Sequence, residues 1–171
     1  GGLTPTSSQV DLPSGSHVEL KHGVMHLQVG DAVKAVIDAP ADLTYHHGQL
    51  VELVSGQGRF RVNTPGKPFE VKTTTMSVVD LGTEFGVMSF ADRPAEVHVM
   101  EGKVKVSAVK DATSRELSAG AALREQEQGW ESIPSSMSRV TDAMPSLITV
   151  WEDSFDRKEN AFDGRMPKIG S

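Results

Sequence analysis

Between Pro68 and Val106 the chain alternates apolar and polar residues, and glycine stands where the alternation breaks. A period of two places successive side chains on opposite faces, so it suits a sheet with one buried and one wetted face. Phe69 and Val71 alternate with polar neighbours, and Val79, Leu81, Thr83, Phe85 and Val87 form a second such series. Val97 and Val99 are expected to face Val104 and Val106 across Glu101-Gly102. Two alternating runs joined by two residues, one of them glycine, form the sequence pattern of a hairpin.

The same grammar extends upstream. His17–Leu20 and Val24–Val29 flank Lys21-His22-Gly23 and predict another hairpin. Gly30-Asp31 turns the chain into Ala32–Ile37, which Ala39-Pro40 ends; Leu43–Tyr45, Gln49–Val54 and Gly58–Val62 follow as further short strands. Turn signals recur at Gly15, Gly23, Gly30, Gly48, Gly56 and Gly66, a spacing that suits a sandwich, a barrel or a stack of short rungs. The spacings drift and no side-chain signature repeats with them, which favours irregular hairpins over a solenoid. Asn63–Pro68 is a loop, with two prolines flanking Gly66. Downstream, Arg115–Ser118 and Ala121–Glu125 read as strands around Ala119-Gly120, and Trp130–Ile133 as the last strand.

The expected fold is therefore all-β: an antiparallel sandwich or jelly-roll-like domain of short hairpins with a C-terminal tail. Residues 1–12 form a lead-in with an edge strand at 9–12, residues 13–133 the β-domain and 134–145 a linker. Residues 146–171 form a tail rich in aromatics, with Trp151, Phe155 and Phe162. Aromatics make up only 5% of the chain, whereas valine occurs 20 times, so β-branched side chains must fill the core.

Net charge is -6 and basic residues are scattered, which argues against nucleic acid and an anionic membrane surface as partners. With no cysteine, disulfides, thiolate metal sites and a cysteine nucleophile are excluded. No apolar run is long enough to span a membrane and no signal peptide is present, so a membrane anchor is expected only upstream of Gly1.

Candidate chemistry is sparse. His17, His22 and His26 lie close in sequence, but a divalent ion needs converging ligands. No carboxylate is evident to complete or orient the set, so they read as solvent-facing residues. His46 and His47 are adjacent, and their side chains diverge on a strand. Glu84 and Glu101 could act as a carboxylate pair, yet no cleft is predicted between them, and they read as a wetted strand position and a turn residue. There is no Gly-x-Ser-x-Gly elbow. Glu152, Asp153 and Asp156 lack the spacing of a calcium loop. Trp130 and Trp151 read as residues that close the edge of a small core rather than as sugar-stacking platforms. No catalytic residue, metal ligand or cofactor is expected.

Several motifs, taken in order, resemble the FecR-type domain. They are Pro68-Phe69-Glu70-Val71, Leu81-Gly82-Thr83-Glu84-Phe85, Val97-His98-Val99, Glu101-Gly102-Lys103-Val104 and Leu117-Ser118-Ala119-Gly120. Gly56–Val62 is similar to the preceding strand of that family, with Gln57 and Gly58 departing from it. The motif residues Pro68, Phe69, Val71, Leu81, Gly82, Thr83, Phe85, Val97, Val99, Glu101, Gly102, Val104 and Gly120 read as structural. Gly82 suits a bulge or a close backbone approach, and Gly102 a turn with positive φ. The resemblance implies a non-enzymatic extracytoplasmic sensory or relay domain of an anti-sigma regulator. It also implies a protein partner, either a sigma-factor system or a cell-surface component. Trp151–Arg157 with Gly164–Pro167 resembles the opening of a concanavalin-like domain. That resemblance implies, as the alternative, a surface protein in which this domain is a spacer and a further C-terminal domain binds glycan.

Overall fold

The computed structural model describes residues 11–63 and 67–136. The first part of the expected lead-in strand, the Gly66 turn, most of the linker, and the tail with Trp151 lie outside the described residues. The described residues form twelve strands and no helix. These are β1 (Ser16–Leu20), β2 (Val24–Val29), β3 (Val33–His47), β4 (Leu50–Val62), β5 (Glu70–Lys72) and β6 (Met76–Asp80). They continue with β7 (Glu84–Phe90), β8 (Arg93–Glu101), β9 (Lys103–Ala108), β10 (Ser114–Ser118), β11 (Ala121–Glu125) and β12 (Trp130–Pro134).

All twelve belong to one sheet, ordered β10-β9-β6-β5-β4-β7-β8-β11-β12, with β3 pairing β4 and both β1 and β2 pairing β3. Strand β4 is shared between two arms. Its Leu50–Glu52 half pairs with β5 and its Gly56–Arg61 half with β7. Strand β3 is shared in the same way, pairing β2 over Val33–Asp38 and β1 over Ala41–Tyr45. The sheet thereby curls into a first arm (β2, β3, β4, β7, β8, β11, β12) and a second arm (β1, β3, β4, β5, β6, β9, β10). Every pairing is antiparallel except β4–β5, which is parallel.

The all-β expectation holds, and three local expectations are corrected. First, four short strands are in fact two long bent ones. Gly56 is no turn but a mid-strand position with φ of +123°, where an added Cβ would lie 2.7 Å from Ala41 Cβ. The β3–β4 register shifts between Asp38 and Asp42 beside it. Glycine here lets two backbones close together while both strands bend.

Second, the predicted hairpins at Lys21-His22-Gly23 and Glu101-Gly102 do not form, nor do the strands around Ala119-Gly120 pair with each other. β1 and β2 both pair β3; β8 pairs β7 and β11; β9 pairs β6 and β10; β10 pairs β9. In each case the chain crosses from one arm to the other through a sharp arch. Alternation reports which face a residue occupies and is silent on which strand lies beside it.

Third, Val79, Leu81 and Thr83 do not continue one face into Phe85. β6 buries Met76, Val78 and Asp80, the corner Leu81–Thr83 resets the frame, and β7 then buries Phe85 and Val87. Leu81 is 53% exposed.

Valines fill much of the core. Val71, Val78, Val97, Val99, Val104 and Val106 have no exposed surface, and Leu12, at the end of the expected lead-in, is equally buried. Three aromatics knit the arms at their shared strand. Phe60 of β4 stacks on Phe85 of β7 with centroids 5.5 Å apart and meets Phe69, just ahead of β5, at 6.0 Å. Phe60→Ala removes the ring that both others touch and is expected to cost about 3–5 kcal/mol. Urea unfolding followed by far-ultraviolet circular dichroism measures this; a loss below about 0.5 kcal/mol, the scale of ordinary surface substitutions, contradicts the packing.

Candidate functional site

Three arches stand side by side at one end of the molecule, joining β6 to β7, β8 to β9 and β10 to β11. Their backbones are laced together. Leu81 N donates to Lys103 O at 3.1 Å, Ala119 N to Gly102 O at 3.0 Å and Gly120 N to Val99 O at 2.9 Å. Val62 N, at the end of β4, donates to Thr83 O at 2.9 Å. The arches therefore satisfy one another's backbone groups where no ladder continues.

The motif glycines meet here. Gly102 has φ of +77°, and a Cβ on it would lie 2.0 Å from the Gly82 carbonyl oxygen. Gly82 has φ of +92° but open space around its own missing side chain. Gly102 is thus fixed by both backbone conformation and contact, Gly82 by conformation alone.

Asp80 shapes the first arch. It is buried, accepts hydrogen bonds from the backbone amides of Gly82 and Thr83, and accepts one from Thr83 Oγ1. Burial pushes its carboxyl above the usual range against the pull of those amides. Asp80 was not singled out from sequence, although an aspartate two residues before a glycine is the signal of an Asx-turn.

Beside this arch lies a cleft of about 330 Å³ lined by Arg61, Asn63, Gly82, Thr83, Glu84 and Glu101. Glu84 sits directly opposite Glu101 in the β7–β8 register. The expectation of a wetted strand position is corrected: Glu84 is buried and bridges Arg59 and Arg61, with Arg61 Nη2 2.7 Å from its Oε2. Burial alone would raise the Glu84 carboxyl, but the hydrogen bonds and charges of Arg61 and Arg59 outweigh it and hold it below the ordinary glutamate range. Glu101 is exposed. Residues 23 and 25 positions away from Glu84 supply its partners, so no local sequence pattern announces the pairing. The pairing engages the Glu84 carboxylate, and the cleft presents Arg61, Asn63 and Glu101 as polar contacts beside the exposed Leu81.

The remaining motif residues support this end from within. Phe69, Val71, Thr83, Phe85, Val97, Val99 and Val104 are buried, while Pro68, Gly82 and Gly120 lie at the surface and Gly102 is half-buried. The histidines are dispersed. His17 contacts Asp42 across the β1–β3 pair at 2.6 Å, so a carboxylate does orient it, contrary to the expectation. His22 lies in the exposed arch, and His26 is buried on β2 with its ring held below the ordinary histidine range by burial. His46 contacts Glu52 at 2.9 Å, and His47 is exposed. Trp130 is half-buried and packs against the core from the edge strand β12. Among the described residues no helix is long and apolar enough to cross a membrane.

A glycine-cornered, doubly folded sheet of this kind defines a β-sandwich module whose one end gathers its signature loops. The family model described as FecR protein matches residues 6–105, and the chain belongs to the FecR family. Two crystal structures of a protein from Parabacteroides distasonis ATCC 8503, described as a candidate anti-sigma factor, share its fold at 21% identity. Their TM-scores are 0.62 and 0.61 over 71% of this chain and 60% of theirs. The chain thus spans about 60% of the length of these solved relatives. Among curated proteins, none matches.

Two expectations follow from the geometry. Gly82→Ala is expected to cost about 1–2 kcal/mol, the strain of a left-handed residue. Gly102→Ala should cost at least about 2 kcal/mol more, because the Gly82 carbonyl must move as well. Denaturant midpoints compared at unchanged slope decide the order; equal losses contradict the contact.

Glu84 also sets a pH dependence. Its folded value is depressed, so its stabilisation is present above the unfolded value near 4.5 and is lost as pH falls through the lower folded value. Asp80, whose folded value is raised, works in the opposite sense, disfavouring the fold at neutral pH and relaxing as it protonates. Glu84→Gln should lower stability at pH 7 by roughly 3 kcal/mol, leaving Arg59 short of a partner, and flatten the acid limb of the profile. Stability measured from pH 3 to pH 7 checks both; an acid limb unchanged by the substitution contradicts the assignment.

Proposed function

We propose that this chain is the extracytoplasmic relay domain of a FecR-type regulator that controls an extracytoplasmic-function sigma factor, and that the arch end is where its partner docks. The observation that carries this reading is the family match over residues 6–105, whose signature loops converge on the arch end. The core accounts for Gly82, Gly102, Asp80 and Thr83. It does not account for Leu81, which stands 53% exposed at the tip of the first arch beside a polar cleft. An apolar side chain rimmed by Arg61 and Glu101 has the composition of an interface anchor with a polar border.

The sheet itself supplies a relay. Because β3 and β4 run through both arms, a partner pressing on one arm loads the other through continuous backbone. In this reading the β-domain of residues 13–133 is followed by a linker at 134–145, and 146–171 opens a concanavalin-like domain. The anchor that reaches the membrane precedes Gly1, the protein lies in the periplasm or at the cell surface, and the domain performs no chemistry of its own.

Leu81→Asp should leave stability within about 0.5 kcal/mol, as for other surface substitutions, because the side chain is outside the core. Introduced into the full-length protein, it should change transcription from the sigma-dependent promoter at unchanged protein level. Co-purification of a sigma factor with the full-length protein is the companion measurement. Failure to recover a sigma factor sinks the regulatory assignment, and wild-type signalling by the Leu81→Asp protein sinks the docking surface.

A further inference from the structure

Among the described residues the sheet has four outer strands, and they are not alike. β10 and β12 end the strand order, while β1 and β2 lie end to end along β3, whose other side pairs β4. Outer strands expose unpaired backbone groups, and soluble proteins guard them with charge, proline or short length. β1 carries Glu19, β10 carries Arg115 and Glu116, and β12 carries Glu131 and Pro134. β2 has neither charge nor proline, and it alone of the twelve described strands holds no Asp, Glu, Lys or Arg. Its six residues make about 20 Å of edge, paired on one side only among the described residues.

A second observation falls on the same strand. Met25, Leu27 and Val29 face the core, so His26 and Gln28 take the outward face. His26 is 7% exposed, and its Nε2 is buried with no hydrogen-bond partner. A buried polar atom left unmatched is destabilising, and folded proteins almost always supply its partner. Two positions on, Gln28 commits its amide nitrogen to Gly30 O at 3.0 Å, which leaves its Oε1 to accept.

Antiparallel pairing of β2 with a second β2 brings these groups together. A two-fold axis perpendicular to the sheet keeps inner face beside inner face. Centred on Leu27, the pairing sets Met25 opposite Val29 on the inner side and His26 opposite Gln28 on the outer. His26 Nε2 then donates to Gln28 Oε1 of the other copy, twice by symmetry. The ends of the strand agree. Exposed Lys21 precedes β2 and exposed Asp31 follows it. The antiparallel arrangement brings Lys21 of each copy toward Asp31 of the other, whereas a parallel one would set like charges together.

We propose that β2 is a dimerisation edge: a second copy of this chain adds its own β2 antiparallel, in the register centred on Leu27, and the two sheets continue as one. Main-chain hydrogen bonds supply the attachment, as in other strand additions, while His26 with Gln28 and Lys21 with Asp31 fix register and direction. A ladder of six residues is smaller than a standard interface, so the dimer dissociates on dilution. This inference stands independently of the sigma-factor reading.

Sedimentation velocity of the full 171-residue chain over a concentration series is expected to show a monomer–dimer equilibrium. Lys21→Glu sets like charge against Asp31 at an exposed position and should raise the dissociation constant several-fold, as should Asp31→Lys. The double variant Lys21→Glu/Asp31→Lys should return association to the wild-type level, which damage to folding would not do. Gln28→Lys removes the acceptor and adds a charge to the joined face, and should weaken association more than either single change. The chain lacks cysteine, so thiols can report the register. His26→Cys protein mixed with Gln28→Cys protein should cross-link under mild oxidation several-fold faster than either protein alone. A chain that stays monomeric over the whole series leaves the edge to a different strand and overturns the proposal. So does a dimer indifferent to Lys21→Glu and Gln28→Lys, a double variant no better than the singles, or a mixture that cross-links no faster than its components.

Discussion

The contact between the backbones of Gly102 and Gly82 is the constraint on which the arch end depends. Two chain reversals must pass within van der Waals distance so that Leu81, Lys103, Gly102, Ala119, Gly120 and Val99 can exchange backbone hydrogen bonds. No side chain fits between them, so the position closest to the contact carries none. From this seam the two arms diverge at a separation that Phe60, Phe69 and Phe85 can fill. The buried Asp80 then finds its hydrogen-bond donors within the seam. Loosening it would leave a buried carboxylate without donors and a valine-rich interior without closure.

Much of this was legible in the sequence, and what was not has a physical reason. Alternation placed Met25, Leu27, Val97, Val99 and Val104 on the inner face, and each is buried. Glycine marked the corners at 82, 102 and 120. What alternation could not say was that these corners carry the chain between arms rather than back along a neighbour, because an arch and a hairpin share the same local pattern. Leu81 misled for a related reason: three residues of corner shift the inside–outside phase, and a continuous period of two hides the shift. The bent strands β3 and β4 were cut into four because Pro40 and Gly56 look like breaks, and here they are bends within paired strands.

The candidate site was less legible than the fold. Glu84 owes its environment to Arg59 and Arg61 on another strand, and the neighbouring pair Glu96 and His98 is completed by Arg124 and Ser136, 28 and 38 positions away. These are long-range encounters that only the sheet's register brings about. Family resemblance located the motifs, and register gave them meaning, since the conspicuous glycines serve geometry while Leu81 is left free of it.

Among the described residues the sheet has four outer strands, β10 and β12 at the ends of the strand order and β1 and β2 beside β3. On β12 Pro134 presents no amide hydrogen and Glu131 carries charge; on β10 Arg115 and Glu116 stand exposed. A second copy approaching either of these two would meet a missing donor or would have to desolvate ions before any ladder could zip. Among the described residues these two borders are thereby guarded against edge-to-edge, fibrous self-association by the residues at their margins rather than by closure into a barrel.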